Sequence, residues 1–193
     1  EAPPKYFPVN ARINKEGYGL MDALLKKGLT ALSVEQFKEL SKEPKTLILD
    51  TRHADTFTLG FIPGSISIGL EGRFAEWAGA LLPFDENILL VCEDGKEEET
   101  IVRLARVGFD KVSGYLAGGF EAWSNAGETI DLIIDVEADE LAMDLPFDDQ
   151  LVIVDVRKTS EFDKGHIKEA LTIPLDELTD PASMANFDDN QNI

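Results

Sequence analysis

An internal repeat is the feature that most constrains how this chain folds. Residues 49–70, LDTRHADTFTLGFIPGSISIGL, align without gaps to residues 154–175, VDVRKTSEFDKGHIKEALTIPL, at an offset of 105 residues. A single apolar strand recurs easily by chance, whereas a set of identical residues in register does not. The sequence therefore predicts two copies of one structural unit. The identical pairs are Asp50 and Asp155, Arg52 and Arg157, Phe57 and Phe162, Gly60 and Gly165, Ile62 and Ile167, Ile68 and Ile173, and Leu70 and Leu175.

The second copy is shorter than the first. At the same offset, the counterpart of Cys92 falls at position 197, whereas the sequence ends at Ile193. A parallel sheet that lacks its central strand would expose a large apolar face. We therefore expect the chain to be a piece of a longer polypeptide. The missing part would come from another copy in a homo-oligomer, or the partial copy would pack on the first domain.

Strand and helix patterns alternate through the first copy, which predicts an α/β fold with a parallel sheet and helices on both faces. The predicted domains are an irregular, proline-rich tail with a short helix around Tyr18–Lys27 (1–29), a complete domain (30–131) and a truncated second domain (132–193). The predicted strands are 46–50, 65–70, 87–92 and 111–119, and the predicted helices are 33–42, 72–83, 99–109 and 120–127. The first of these helices begins at Ser33 with Gln36 three residues on, which is the spacing of a capping box.

Composition excludes several classes of partner. The formal net charge of −19 argues against nucleic acid and anionic membranes, which need clustered Lys and Arg. No apolar run approaches the ~20 residues of a membrane span. A single cysteine suits a reducing compartment, so we expect a cytoplasmic location. His53 and His166 lack metal-ligand spacing and no CxxC is present, so no metal or other cofactor is expected.

The single cysteine lies where nucleophiles are often found. In LLVCEDGKEEETIVRLA (89–105), an apolar strand ends on Cys92, a loop containing Gly95 follows, and a helical pattern then begins. A helix N-terminus and the amide groups of such a loop favour an anion. This arrangement makes Cys92 the candidate nucleophile.

Three landmarks, in order, resemble the rhodanese family. The first is the Asp-x-Arg, aromatic, Gly-His-Ile and Ile-Pro series, best seen in DVRKTSEFDKGHIKEALTIP of the second copy. The second is LLVC, and the third is YLAGGFEAW (115–123), similar to the family's Leu-x-Gly-Gly turn and tryptophan helix. The resemblance covers nearly all of residues 30–193. It implies a rhodanese-like parallel sheet, followed by a partial second rhodanese-like module.

The resemblance also implies a chemistry. Rhodanese-like sulfurtransferases carry a persulfide on the cysteine, so Cys92 is the candidate persulfide carrier and a small sulfur-containing molecule the candidate substrate. The loop residues Glu93, Asp94, Gly95, Lys96 and Glu97, with Arg73, are the candidate substrate contacts, although a solvated helix arginine is the simpler interpretation of Arg73. The structural support would come from Asp50, Arg52, Asp155 and Arg157, with Asp50 and Arg52 forming an ion pair near the loop.

A narrower resemblance concerns the beginning of the chain. EAPPKYFPVNARINKEGY is similar to the linker that follows a metallo-β-lactamase-type persulfide dioxygenase domain, and some such proteins carry tandem rhodanese modules whose first module is degenerate. This implies that an N-terminal metallo-β-lactamase-like domain and a C-terminal remainder of the same polypeptide are the partners.

Charges in the loop leave two interpretations open. The family expects basic or neutral side chains there, but this loop and helix start carry five acids, of which Glu97–Glu99 fit an ordinary first helical turn. Glu93 and Asp94 sit in the cradle itself and would repel thiosulfate or a persulfide anion. The chain is thus either a degenerate module with a docking or regulatory role or an active sulfurtransferase.

Other side chains receive simpler interpretations. Trp77 and Trp123 are expected in the core, and His166 belongs to a turn of the Asp-x-Arg repeat rather than acting as a base. A Cys-x5-Arg phosphatase is excluded, because position 98 is Glu98 and Arg103 lies too far along the chain.

Overall fold

The computed structural model describes residues 21–175, 177–178 and 187. Within it the chain forms two compact units, the first ending at Ile134 and the second beginning at Asp135. Most of the predicted N-terminal tail, and the Asn192-Ile193 pair that continues the repeat, lie outside the described residues.

The first unit is a five-stranded, all-parallel sheet with helices on both faces, which confirms the predicted fold class. The strand order is β1-β5-β4-β2-β3. The elements in chain order are α1 (Met21–Gly28), β1 (Ala31–Leu32), α2 (Val34–Ser41), β2 (Thr46–Asp50), α3 (Ala54–Thr58), β3 (Ile66–Ser67), α4 (Phe74–Leu81), β4 (Asn87–Val91), α5 (Glu97–Arg106), β5 (Val112–Leu116) and α6 (Gly119–Asn125).

The two central strands are apolar throughout because both of their faces are covered. In β4 the four residues from Ile88 to Val91 are fully buried. Side chains on one face pack with α4 and α5, and those on the other face pack with α2 and α6. The first cluster includes Leu49, Phe74, Leu90, Ile101 and Leu104, and the second includes Phe37, Ile48, Leu89, Val91 and Trp123.

The predicted helix cap is present, but the bounds of several predicted strands and helices differ from those in the structure. The capping box predicted at Ser33 is present, since Ser33 Oγ accepts from the Gln36 amide at 3.3 Å. The strand predicted over 65–70 narrows to β3, although the Ile68 and Leu70 amides still donate to the carbonyls of Asp50 and Thr51. The short elements β1 and α3 were not predicted, because neither is long enough to show a period.

One core prediction was wrong. Trp77 lies on α4 but is 47% exposed, whereas Trp123 is buried and donates its indole N–H to the Thr129 carbonyl at 2.8 Å. Apolar spacing placed Trp77 near the buried face of the helix. The core on that face is filled instead by other side chains of the helix, including Phe74 and Ala78.

The second unit repeats part of this geometry. Its elements are α7 (Ala138–Asp144), β6 (Val154–Asp155), α8 (Thr159–Phe162) and β7 (Leu171–Thr172). Strands β6 and β7 pair in parallel with Val154 facing Leu171, as β2 and β3 pair with Leu49 facing Ile66. Val154 and Leu171 therefore lie 105 residues after Leu49 and Ile66, which is the same offset as in the sequence repeat.

The Asp-x-Arg pair is built in the same way in both units but is buried in only one. Arg52 binds the Asp50 carboxylate through Nε (2.9 Å) and Nη2 (2.6 Å) and donates to the Gly60 carbonyl, and the Phe120 ring covers its guanidinium at 4.4 Å. The side chain of Arg52 is 8% exposed. Because both groups are buried, removing either one would leave the other as an uncompensated charge in the core.

In the second unit the arginine of the pair is open to solvent, whereas the Asp155 side chain is 10% exposed. Arg157 binds Asp155 and the Gly165 carbonyl, but its side chain is 48% exposed. Hydrogen bonding to Arg157 lowers the pKa of Asp155 to about 2. His166 stacks on Phe162 at 3.7 Å, just as Phe61 stacks on Phe57 at 4.2 Å, so its ring takes a packing position of the repeat.

Replacing Arg52 with alanine should lower the free energy of unfolding of the first unit by about 3–5 kcal/mol, because Asp50 would be left buried without its counter-charge. Urea denaturation followed by tryptophan fluorescence measures this unit alone, since Trp77 and Trp123 both belong to it. Arg157→Ala is the matched control and should leave that transition in place. An Arg52→Ala transition that coincides with that of the parent protein would contradict the role of burial.

Candidate active site around Cys92

Parallel pairing of the two central strands positions the cysteine. Asp50 of β2 faces Val91 of β4, so the next residues, Thr51 and Cys92, leave the sheet side by side at its carboxyl edge. The Thr51 amide donates to the Val91 carbonyl at 2.8 Å and holds the two chain segments together. Cys92 is 7% exposed and belongs to the core cluster on the α4 and α5 face.

The loop after Cys92 makes the expected tight turn into a helix. Gly95 adopts φ +79, a left-handed conformation that favours glycine, and the Lys96 amide donates to the Glu93 carbonyl at 3.1 Å. Helix α5 then begins at Glu97, two residues before the predicted start. The Leu-x-Gly-Gly turn approaches from the other side, since a Cβ on Gly119 would lie 3.3 Å from the Cys92 carbonyl.

Burial dominates the electrostatics of the thiol. Loss of hydration raises the pKa of Cys92 from its usual 9.0 to about 11. Hydrogen bonding with Thr51 and Thr100 lowers that pKa, but the negative charges of Glu97 and Asp50 raise it further. The thiolate, which is the nucleophilic form, is therefore disfavoured.

The carboxylates that act on the thiol differ from those that the loop sequence emphasises. Glu93 and Asp94 are exposed, and the carboxylates whose charges raise the pKa of Cys92 are Glu97 and Asp50. Glu97 does occupy the first turn of α5, as predicted, but its negative charge also raises the pKa of Cys92. Glu97 is therefore both an ordinary acidic residue at a helix start and a group that disfavours the Cys92 thiolate.

Basic side chains named as candidates are engaged elsewhere. Lys96, the basic residue of the loop, forms an ion pair with Glu99 at 3.1 Å. Arg73 is 75% exposed and forms an ion pair with Glu76 on its own helix. Asp50 and Arg52 form the predicted ion pair directly below the edge that carries Cys92.

Two site residues were missed from the sequence. Thr51 could have been predicted, because it follows a buried strand at the same sheet edge as Cys92. Thr100 gave no signal, because only the packing of α5 brings its hydroxyl to 3.8 Å from Cys92 Sγ. Over the described part of the chain, no cluster of three or more His, Cys, Asp or Glu side chains suits a metal ion, and no helix is long and apolar enough to cross a membrane.

This combination of a parallel sheet, a strand-end cysteine and a glycine turn into a helix defines a class of cysteine-loop α/β domains. The family model described as the Rhodanese-like domain matches residues 33–126 and again residues 137–193. Together the two matches span most of the chain. The chain therefore belongs to the rhodanese-like domain family.

Individual known proteins are similar to parts of the chain. The thiosulfate sulfurtransferase GlpE of Shewanella oneidensis is 31% identical over 96 residues, which are 49% of this chain and 92% of that protein. A crystal structure of the Alr3790 protein from Anabaena sp. shows 28% identity and a TM-score of 0.46, covering 54% of this chain and 94% of that one. A metallo-beta-lactamase structure from Staphylococcus aureus shows 24% identity and a TM-score of 0.47, covering 61% and 30% of the two chains.

The thiol of Cys92 should stay protonated well above its usual range, with a titration midpoint near 11. Between 9.0 and about 11 the unfolded chain binds fewer protons at this site than the folded chain, so stability falls as pH rises, by up to about 2–3 kcal/mol. Ultraviolet absorbance of the thiolate measures the midpoint, with Cys92→Ser as the blank. A midpoint near 9.0 in the folded protein would contradict the effect of burial.

Glu97→Gln should lower the pKa of Cys92 and raise the thiolate fraction about threefold at a given pH, because one facing negative charge is removed. The control is Glu98→Gln, which removes a charge from the same helical turn at a more exposed position. The same absorbance titration compares the two. Equal shifts would mean that general helix-start charge, rather than Glu97 itself, acts on the sulfur.

Proposed function

We propose that this chain is a degenerate rhodanese-like module of a larger sulfur- or persulfide-processing protein, with a docking or regulatory role. The observation that carries the proposal is the environment of Cys92: a thiol that is 7% exposed, whose pKa is raised to about 11 by burial and further by the charges of Glu97 and Asp50. A persulfide carrier needs a thiolate, and this site favours the thiol.

The magnitudes support this direction. Raising the pKa from 9.0 to about 11 lowers the thiolate fraction at neutral pH by about 100-fold. A helix N-terminus favours an anion by roughly 0.3–1 kcal/mol when exposed and up to about 2 when partly buried. One carboxylate about 4 Å away opposes it by about 1 kcal/mol in water and about 4 at an effective dielectric of 20. Burial is the largest cause of the raised pKa and the charges of Glu97 and Asp50 add to it, so the helix N-terminus does not restore the thiolate.

The wider organisation is part of the same proposal. Support for tandem modules comes from the 105-residue repeat, from the shared register of β2–β3 and β6–β7, and from the second range matched by the family model. Support for fusion to a metallo-β-lactamase-like domain comes from the sequence of the first residues alone. The proposed partners are thus other parts of the same polypeptide, or a second copy, in the cytoplasm.

An active sulfurtransferase is the second candidate. It is favoured by the position of Cys92 at a strand end before α5 and by the relative named as a thiosulfate sulfurtransferase. In that reaction the Cys92 thiolate would attack the sulfane sulfur of thiosulfate, and sulfite would leave with the electrons of the broken S–S bond. A thiol acceptor would then take the sulfur from the cysteine persulfide and return Cys92 to the thiolate.

Intact-mass measurement after treatment with thiosulfate or glutathione persulfide separates the two candidates. We expect little or no gain of one sulfur atom on the folded protein at neutral pH. Because the chain has one cysteine, any such gain is assigned directly, and Cys92→Ser gives the background. Rapid gain of one sulfur, with sulfur transfer to cyanide that Cys92→Ser abolishes, would sink the degenerate-module proposal and support the second candidate.

A further inference from the structure

Two buried threonines lie beside Cys92, Thr51 through the pairing of β2 with β4 and Thr100 through the packing of α5. Thr51 follows β2 and is 3% exposed, and Thr100 lies in the second turn of α5 and is fully buried. The Thr100 hydroxyl oxygen is 3.8 Å from Cys92 Sγ. These groups are neutral and come from different elements, so their convergence on one atom is a product of the fold.

The proton of each hydroxyl is committed to a backbone carbonyl while Cys92 is a thiol. Thr100 Oγ1 donates to the Lys96 carbonyl at 2.8 Å, and Thr51 Oγ1 lies 3.4 Å from the Val91 carbonyl. Since a hydroxyl has only one proton, its lone pairs are what it offers to the sulfur in this state. The thiol S–H of Cys92 accordingly donates to Thr100.

Both hydroxyls are able to turn without leaving an orphaned acceptor. The Lys96 carbonyl also accepts from the Thr100 amide at 3.0 Å, and the Val91 carbonyl also accepts from the Thr51 amide at 2.8 Å. Each carbonyl therefore keeps one hydrogen bond when the hydroxyl leaves it. The usual penalty for an unsatisfied buried polar group is avoided.

We propose that Thr51 and Thr100 are positioning residues whose hydroxyls rotate from these carbonyls to the sulfur when Cys92 loses its proton to a solvent base. The thiolate then accepts two hydrogen bonds that the thiol did not have, and hydrogen bonds to a charged group are stronger than neutral ones. This inference rests on the proposed function, because it concerns the reactivity that remains at Cys92.

The charged groups near the sulfur either oppose its ionisation or are paired elsewhere, so stabilisation of the thiolate depends on the neutral hydroxyl donors. The negative charges of Glu97 on α5 and Asp50 on β2 both oppose ionisation of the thiol. Arg52 is bound to Asp50, and Lys96 is bound to Glu99. Among these side chains the two hydroxyls are the groups that favour the thiolate, in agreement with the direction in which each one moves the pKa of Cys92.

The test is a thiolate titration by ultraviolet absorbance of Thr51→Val, Thr100→Val and the double variant, with the same substitutions in Cys92→Ser as blanks. Each single valine should lower the thiolate fraction at a given pH about threefold, and the double variant about tenfold. Thr51→Ser and Thr100→Ser keep the hydroxyl and should titrate like the parent. Valine at position 51 suits the fold, because Val156 occupies the matching place in the second copy.

Thr58→Val is the matched control. Its hydroxyl donates to the Asp55 carbonyl at 3.0 Å, so it loses the same kind of bond elsewhere, and the titration should not change. If Thr100→Val does not fold, as judged by circular dichroism, the comparison of Thr51→Val with Thr51→Ser decides the matter.

Unchanged midpoints in the valine variants would overturn the proposal, as would equal shifts in the valine and serine variants, which would indicate packing. The titration uses no sulfur donor, so it is separable from the proposed function. Sulfur transfer by the parent protein would contradict the degenerate-module proposal and leave the hydroxyl effect intact. Unchanged midpoints in the valine variants would contradict the hydroxyl proposal and leave the degenerate-module proposal intact.

Discussion

The parallel pairing of β2 with β4 is the interaction on which the rest of the structure depends. Five consecutive residue pairs, from Thr46 with Asn87 to Asp50 with Val91, align the carboxyl ends of the two strands. Because parallel strands deliver their next residues to one edge, Thr51 and Cys92 emerge together. The same alignment places the buried Asp50 and Arg52 pair beneath that edge. The core, the ion pair and the position of the cysteine loop therefore all depend on this strand pairing.

Burial decides what this edge does chemically. The fold supplies Cys92 with a strand end, a glycine turn and the start of a helix, which is a suitable mounting for a nucleophile. It also removes the thiol from water and faces it with Glu97 and Asp50, which together raise its pKa to about 11. Two neutral hydroxyls act in the opposite direction. The balance of these terms favours the thiol, and it explains how a site keeps its geometry while losing reactivity.

Much of the fold could be read from the sequence because its signals are local or repeated. The buried central strands, the Ser33 cap and the repeated Asp-x-Arg pair were predicted and are present. The failures have physical causes. Trp77 sits on an amphipathic helix whose buried face is occupied by Phe74 and Ala78, and β1 is two residues long, which is too short for any periodicity. Charge counts likewise pointed to Glu93 and Asp94, although Glu97 is the acid after Cys92 whose charge raises the pKa of the thiol.

The sequence by itself determined the class of fold, the repeat and the position of the one cysteine at a strand end, since apolar runs, glycines and identical residues in register are properties of the chain alone. Only the tertiary structure decided which side chains surround that cysteine. Thr100 is eight residues away and Asp50 forty-two, and their effect on the thiol depends on distances of a few ångströms and on exclusion of water. Electrostatic energies vary steeply with both quantities, and neither is written in the order of the residues.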